Sequence, residues 1–182
     1  VAELLTRLLY RKRNPPTGGA LHDYVIWATE LPGISRAWAF DCWHGLGTVG
    51  LAWVYDQRTD IIPTGTDREA MQAYLFRHQD PATGTYVGKP GGIEVWPIPL
   101  TLKPVPLTIR IIPDTAAIRS AVTLSLQALF RSVSPGDTLL LSAIRTAIGS
   151  STGVTDYELD LTTNQASENY ELLTLGAVTW RI

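Results

Sequence analysis

The 182-residue chain is poor in three things: it has one cysteine, few charged residues, and no apolar run of membrane-spanning length. A lone cysteine, Cys42, closes no internal disulfide, and without a CxxC pair or a Cys/His set at finger spacing neither an oxidising compartment nor structural zinc is indicated. A spanning helix needs about 20 consecutive apolar residues, and nothing reads as a signal peptide. Fifteen Lys and Arg stand against 17 Asp and Glu, for a formal charge of −2. With no long basic stripe to neutralise phosphates, nucleic acid and membrane surfaces are both disfavoured as partners.

What is present is a folding composition. Hydrophobic residues make up 45% and charged ones 18%, a lightly charged surface that leans toward buried interfaces. A chain of this length buries roughly 70% of its unfolded surface, in one ordinary domain or two small ones. Six tryptophans and seven tyrosines supply large rings for cores and for interface anchors.

Residues 1–13, "VAELLTRLLYRKR", space Leu4, Leu5, Leu8 and Leu9 as a helix ending in Arg11, Lys12 and Arg13, cations suited to a helix C-terminus. Beginning inside a helical pattern, the chain is expected to be a piece of something longer. "NPPTGG" breaks the helix, because proline removes donors and glycine permits positive φ. Pro15, Pro16, Gly18 and Gly19 are therefore expected to form a hinge. A second helix over 20–31 carries Leu21, Tyr24, Val25, Ala28 and Leu31 on one stripe.

From Ile34 the period becomes two. Ile34, Arg36, Trp38 and Phe40 alternate with Ser35, Ala37, Ala39 and Asp41, and Val49, Leu51, Trp53 and Tyr55 follow after a turn at 43–47, which predicts a β-hairpin. A helix is expected from Thr66, with Glu69 at capping-box spacing and Ala70, Met71, Tyr74, Leu75 and His78 inward. Residues 93–112 read as two extended segments whose prolines belong on strand edges, bulges or breaks. Thr115 or Asp114 opens a helix with Ile118, Val122, Leu126 and Leu129 inward, Ser142 is a candidate cap for a short helix, and 154–161 and 172–180 read as strands paired antiparallel. "LPGISRAWAF" and "STGVTDYELD" echo each other, each following a helix. The predicted class is α+β: two small subdomains of helices on short, mainly antiparallel sheets. The division places 1–19 as the end of a preceding region, 20–100 as the first subdomain and 101–182 as the second.

Chemistry is harder to find. Cys42 and His44 share a face only if their strand continues past Asp41, and the following glycines argue that it turns. Scattered histidines offer no convergent metal ligands. Asp156, Glu158 and Asp160 share one strand face, an arrangement more typical of a solvated face than of a calcium or two-carboxylate site. "GLGTVG" lies between strands, whereas a phosphate cradle opens a helix. No catalytic, cofactor or metal residues are assigned. Trp38, Trp43 and Trp96 are the candidates for protein interfaces.

The ordered series Gly18-Gly19, Asp23, Tyr24 and Trp27, Pro32-Gly33-Ile34, Arg36-Ala37-Trp38, and Gly45, Gly47, Thr48, Val49 and Gly50 resembles the central signature of the baseplate J-like family, inner baseplate wedge proteins of contractile-tailed phages that include Mu-like tail proteins. "PVPLTIRIIPDTAAIRSAV", "PGDTLLLSAIRTAI" and "TGVTDYELD" extend the likeness over nearly the whole chain. The resemblance implies a non-enzymatic virion component assembled in the bacterial cytoplasm, in contact with its own copies and with wedge and hub proteins, reorganising when the sheath contracts. The alternatives are a tail-associated hydrolase built on Cys42, His44 and the acidic strand of Asp156, Glu158 and Asp160, and a small glycan-binding module using Trp43 and Trp96.

Overall fold

The computed structural model describes residues 5, 8, 9, 12, 13, 15, 17–81 and 83–181. Most of the helix expected over 1–13, with Leu4 and Arg11, and the hinge residue Pro16 lie outside the described residues. From Leu21 onward four helices and ten strands follow, in two units that meet in sequence between Pro99 and Leu100. The class is α+β, with four antiparallel and two parallel ladders among the described residues.

In the first unit, α1 (Leu21–Glu30) is followed by the hairpin β1 (Arg36–Asp41) and β2 (Thr48–Val54), then α2 (Gly65–Phe76), the two-residue strands β3 (His78–Gln79) and β4 (Tyr86–Val87), and β5 (Glu94–Pro97). The sheet order is β1-β2-β5, with β5 parallel to β2. Antiparallel partners share a face, and the register pairs Ala37 with Trp53 and Ala39 with Leu51. That face packs against Tyr24 and Ala28 of α1 and Met71 and Leu75 of α2. Small alanines on β1 thus leave room for the helices, and the large residues Arg36, Trp38 and Phe40 turn to the other side.

Helix α2 starts two residues earlier than the sequence suggests. Its cap is Thr64, whose hydroxyl accepts from the Asp67 N–H at 3.3 Å while Asp67 accepts from the Thr64 N–H at 2.9 Å. Arg58 adds a 2.7 Å ion pair to Asp67 and lies 3.5 Å over the Tyr55 ring, so contacts from outside the helix select this register over Thr66/Glu69. Ala70 is exposed, and His78 falls beyond the helix end in β3.

The second unit contains β6 (Thr101–Ile112), α3 (Ala116–Arg131), β7 (Thr138–Leu139), α4 (Leu141–Gly149), β8 (Asp156–Leu159), β9 (Gln165–Ala166) and β10 (Glu171–Trp180). Val105, Leu107, Ile109 and Ile111 project from one face of β6 onto Val122, Leu126 and Phe130 of α3 and Ile144 and Ile148 of α4. Each such side chain contributes about 1.5–3 kcal/mol by leaving water.

Two expectations need correction here. The strands at 154–161 and 172–180 do not pair: β6 lies between them, antiparallel to β8 and parallel to β10. The 12-residue strand β6 supplies more backbone partners than a short loop-linked hairpin would. Helix α4 has Leu140, not Ser142, at its cap, and the first-turn Leu141 N–H donates to Asn164 Oδ1 at 2.9 Å. A side chain 23 residues away does the work of a local cap.

The prolines of β6 follow a simple rule. Arg181 N–H donates to Ile109 C=O and Asp160 N–H to Thr108 C=O, so odd residues of β6 face β10 and even ones face β8. Pro104 and Pro106 are even, and the β8 ladder reaches only Ile109–Ile112. Their missing N–H groups point to an open edge, where no ladder bond is lost.

The sequence echo has a structural counterpart. Gly33 after α1 and Gly153 after α4 have φ of 85° and 89°, each turning a helix into a strand through a conformation glycine reaches without a Cβ clash.

Candidate interaction surface

The side of the first sheet away from its helices carries Arg36, Trp38 and Phe40 from β1, opposite Val54, Ala52 and Gly50 of β2, and Trp96 of β5, which is in register with Gly50. Gly50 is the floor of this face. A Cβ there would lie 3.1 Å from Trp43 Cγ and 2.5 Å from Ile98 Cδ1, so the missing side chain is what lets Trp43 and Ile98 lie flat on the strand. The His44 ring meets Trp96 edge-on at 4.7 Å and Trp43 at 5.8 Å, and Arg36 stands over Trp38 at 5.3 Å. The three tryptophans singled out from sequence therefore share one sheet face. Leu46, 95% exposed at the hairpin tip, extends the apolar margin.

Cys42 has φ of 51°, so the strand ends at Asp41 and the chain turns before His44. The thiol of the exposed Cys42 donates to Asp41 Oδ1 at 3.4 Å, and this bond, with the neighbouring carboxylate charge, pushes its pKa up. A nucleophilic cysteine needs the opposite shift. The His44 ring is turned toward tryptophans, and the residue's backbone N–H donates to Thr48 Oγ1 at 2.9 Å. Among the described residues no three or more His, Cys, Asp or Glu side chains gather as metal ligands. Two of the three acidic residues at β8 and its end are matched with arginines: Glu158 pairs with Arg110 at 3.0 Å, and Asp160 with Arg181 at 2.6 Å.

The glycines expected to hinge are fastened. Asp23, only 2% exposed, accepts from Thr17 N–H at 3.2 Å, Thr17 hydroxyl at 3.0 Å, Gly19 N–H at 2.8 Å and Ala20 N–H at 3.1 Å. Burial alone would raise its pKa, but the donors of Gly19, Thr17 and Ala20 outweigh it and hold the carboxyl below its ordinary value. His22 Nε2 lies 3.0 Å from the Pro15 carbonyl oxygen. The loop carrying Gly18 and Gly19 is therefore clasped to the start of α1. Asp23 sits three residues after the cap position, a spacing that in the sequence could have flagged it.

The profile of the baseplate J-like central domain matches residues 16–99, and that of the baseplate J-like C-terminal domain matches residues 105–181. The chain belongs to the baseplate J-like family. It is 44% identical over 181 residues to the baseplate protein gp47 of Escherichia phage Mu, covering 98% of this chain and 50% of the relative. To the Mu-like prophage FluMu protein gp47 of Haemophilus influenzae it is 38% identical, over 99% of this chain and 51% of that one. To the putative protein JayE of Escherichia coli K12 the identity is 32%, over 96% and 64%. This baseplate J-like chain thus spans between half and two thirds of the relatives it matches. Its aromatic sheet face and the Asp23 clasp both fall within the central-domain match. No helix among its described residues is long and apolar enough to cross a membrane.

Proposed function

We propose that this chain is a structural part of the baseplate of a contractile phage tail or phage-derived device, located in the virion after assembly in the bacterial cytoplasm. It packs against copies of itself and against other wedge and hub proteins, and shifts those contacts when the sheath contracts. The aromatic face of the first sheet carries the reading: Trp38, Trp43 and Trp96 converge on a strand floored by Gly50 and Ala52, the kind of rigid, ring-rich surface that anchors protein contacts. The printed names of the phage Mu and Haemophilus relatives support the setting.

The role is non-catalytic. A thiol with a raised pKa and a histidine engaged with tryptophan rings support this over a hydrolase. The Gly18–Gly19 step of the proposed hinge is held to the start of α1 by Asp23.

The test is incorporation of the full-length protein into tails. Trp96→Ala, at a residue 42% exposed, lowers incorporation about tenfold while leaving the unfolding midpoint nearly unchanged. Full incorporation of Trp96→Ala combined with Trp38→Ala would remove the aromatic face from the reading, and absence of the wild-type protein from tails would remove the reading itself.

A further inference from the structure

Among the described residues the second sheet, in the order β10-β6-β8, has three stretches of edge without a neighbouring strand. Each is blunted differently. The outer edge of β8 is only four residues long, and that of β10 is broken by the register shift between Leu175 and Val178. The third lies on β6 itself. Its ladder to β8 begins at Ile109, and the bond from Asp160 N–H to Thr108 C=O closes it, so residues 102–107 have no strand on that side. The residues whose main-chain groups point there are Leu102, Pro104 and Pro106. Two of these three positions lack an N–H, and both prolines are exposed. The rest of the strand is strongly β-forming and is held flat by Val105, Leu107, Ile109 and Ile111, which are buried against α3 and α4.

We infer that Pro104 and Pro106 guard this edge of β6 against pairing with the same edge of a second copy of this chain. The geometry of that pairing defines what the prolines prevent. Two copies of the segment facing each other antiparallel across a two-fold axis at Val105 would set Pro104 of one opposite Pro106 of the other. An edge of ordinary residues would exchange four N–H to C=O bonds at those two pairs. With proline at every donor position all four are missing, four carbonyls are left facing one another without a donor, and each ring places its Cδ where an N–H would stand. The prolines cost the folded chain no ladder bond, because the side they face is unpaired in the native sheet. The inference does not depend on the baseplate reading: it states which surface copies of this chain do not use, whatever else they pack against.

The test compares the full-length protein with its Pro104→Thr/Pro106→Thr variant by analytical ultracentrifugation over a range of concentrations, with amide hydrogen exchange read on the same samples. Threonine restores both N–H groups and suits a strand without adding apolar surface, so the comparison isolates the backbone donors. Expected is a self-association constant at least about tenfold above that of the wild type, together with exchange protection over residues 102–107 that grows with concentration. Pro106→Thr alone, which restores two of the four donors, gives a smaller rise with protection at the same residues, and it carries the test if the double variant does not fold. A folded variant that associates no more than the wild type would overturn the inference. So would stronger association that leaves the amides of 102–107 unprotected, since the new contact would then lie elsewhere.

Discussion

Asp23 Oδ2 accepts the Gly19 N–H at 2.8 Å, across a helix start whose own cap residue, Ala20, has no side-chain acceptor. One buried carboxylate therefore does two jobs: it accepts the N–H of the cap residue Ala20 and it closes the loop that leads into α1.

Replacing Asp23 with Asn removes the charge from these bonds and turns an amide toward backbone donors. Urea unfolding should show a loss of about 2–3 kcal/mol. The carboxyl titrates below its ordinary 3.8 in the folded chain, so the stabilisation is complete above that value and disappears as the pH falls from there through the folded-state value. The wild-type chain should weaken over that acid window more steeply than Asp23→Asn does.

The two glycines of the same loop should respond differently to alanine. Gly18 has φ of 78° with nothing within 4 Å of a new Cβ, so Gly18→Ala carries conformational strain alone, about 1 kcal/mol. Gly19 has φ of 139°, and its Cβ would sit 2.9 Å from Pro90 Cγ. Gly19→Ala should lose at least about 2 kcal/mol by the sum of strain and overpacking. Equal effects in thermal unfolding would mean that Pro90 is not held against the loop.

Thr64→Ala should destabilise the chain by about 1 kcal/mol, because it removes the cap acceptor for Asp67 N–H. Thr66→Ala, inside the first turn, should stay within about 0.5 kcal/mol of wild type. The reverse order would return the helix start to the position that sequence spacing favours.

Gly176 lies at the irregularity where β10 changes register between Leu175 and Val178. A Cβ there would meet Val105 C at 2.8 Å and Pro106 N at 2.9 Å, both backbone atoms that no rotamer change moves. Gly176→Ala should lose about 2–3 kcal/mol in chemical denaturation, more than a comparable change on an exposed strand position.

Much of the fold was legible because it is local. Hairpin alternation over 34–55, the stripe of Tyr24 and Ala28, and the Thr115 cap of α3 each follow from neighbours a few residues away. The two larger errors share one cause. Asn164 in place of Ser142 and β6 between β8 and β10 were each decided by a partner distant in sequence, a loop 23 residues on or a strand in the middle of the sheet, whereas Thr64 over Thr66 turned on a local box that Arg58 reinforces.

The interface candidates divide the same way. Composition and order alone marked Trp38, Trp43 and Trp96 as rings to test and tied the chain to its family through motifs that survive without coordinates. That they share one face depended on the register of a parallel strand that begins 40 residues beyond the hairpin. Period and turn chemistry are written in adjacent residues, but which edge of a sheet stays open is set only when strands far apart in the chain have chosen their neighbours.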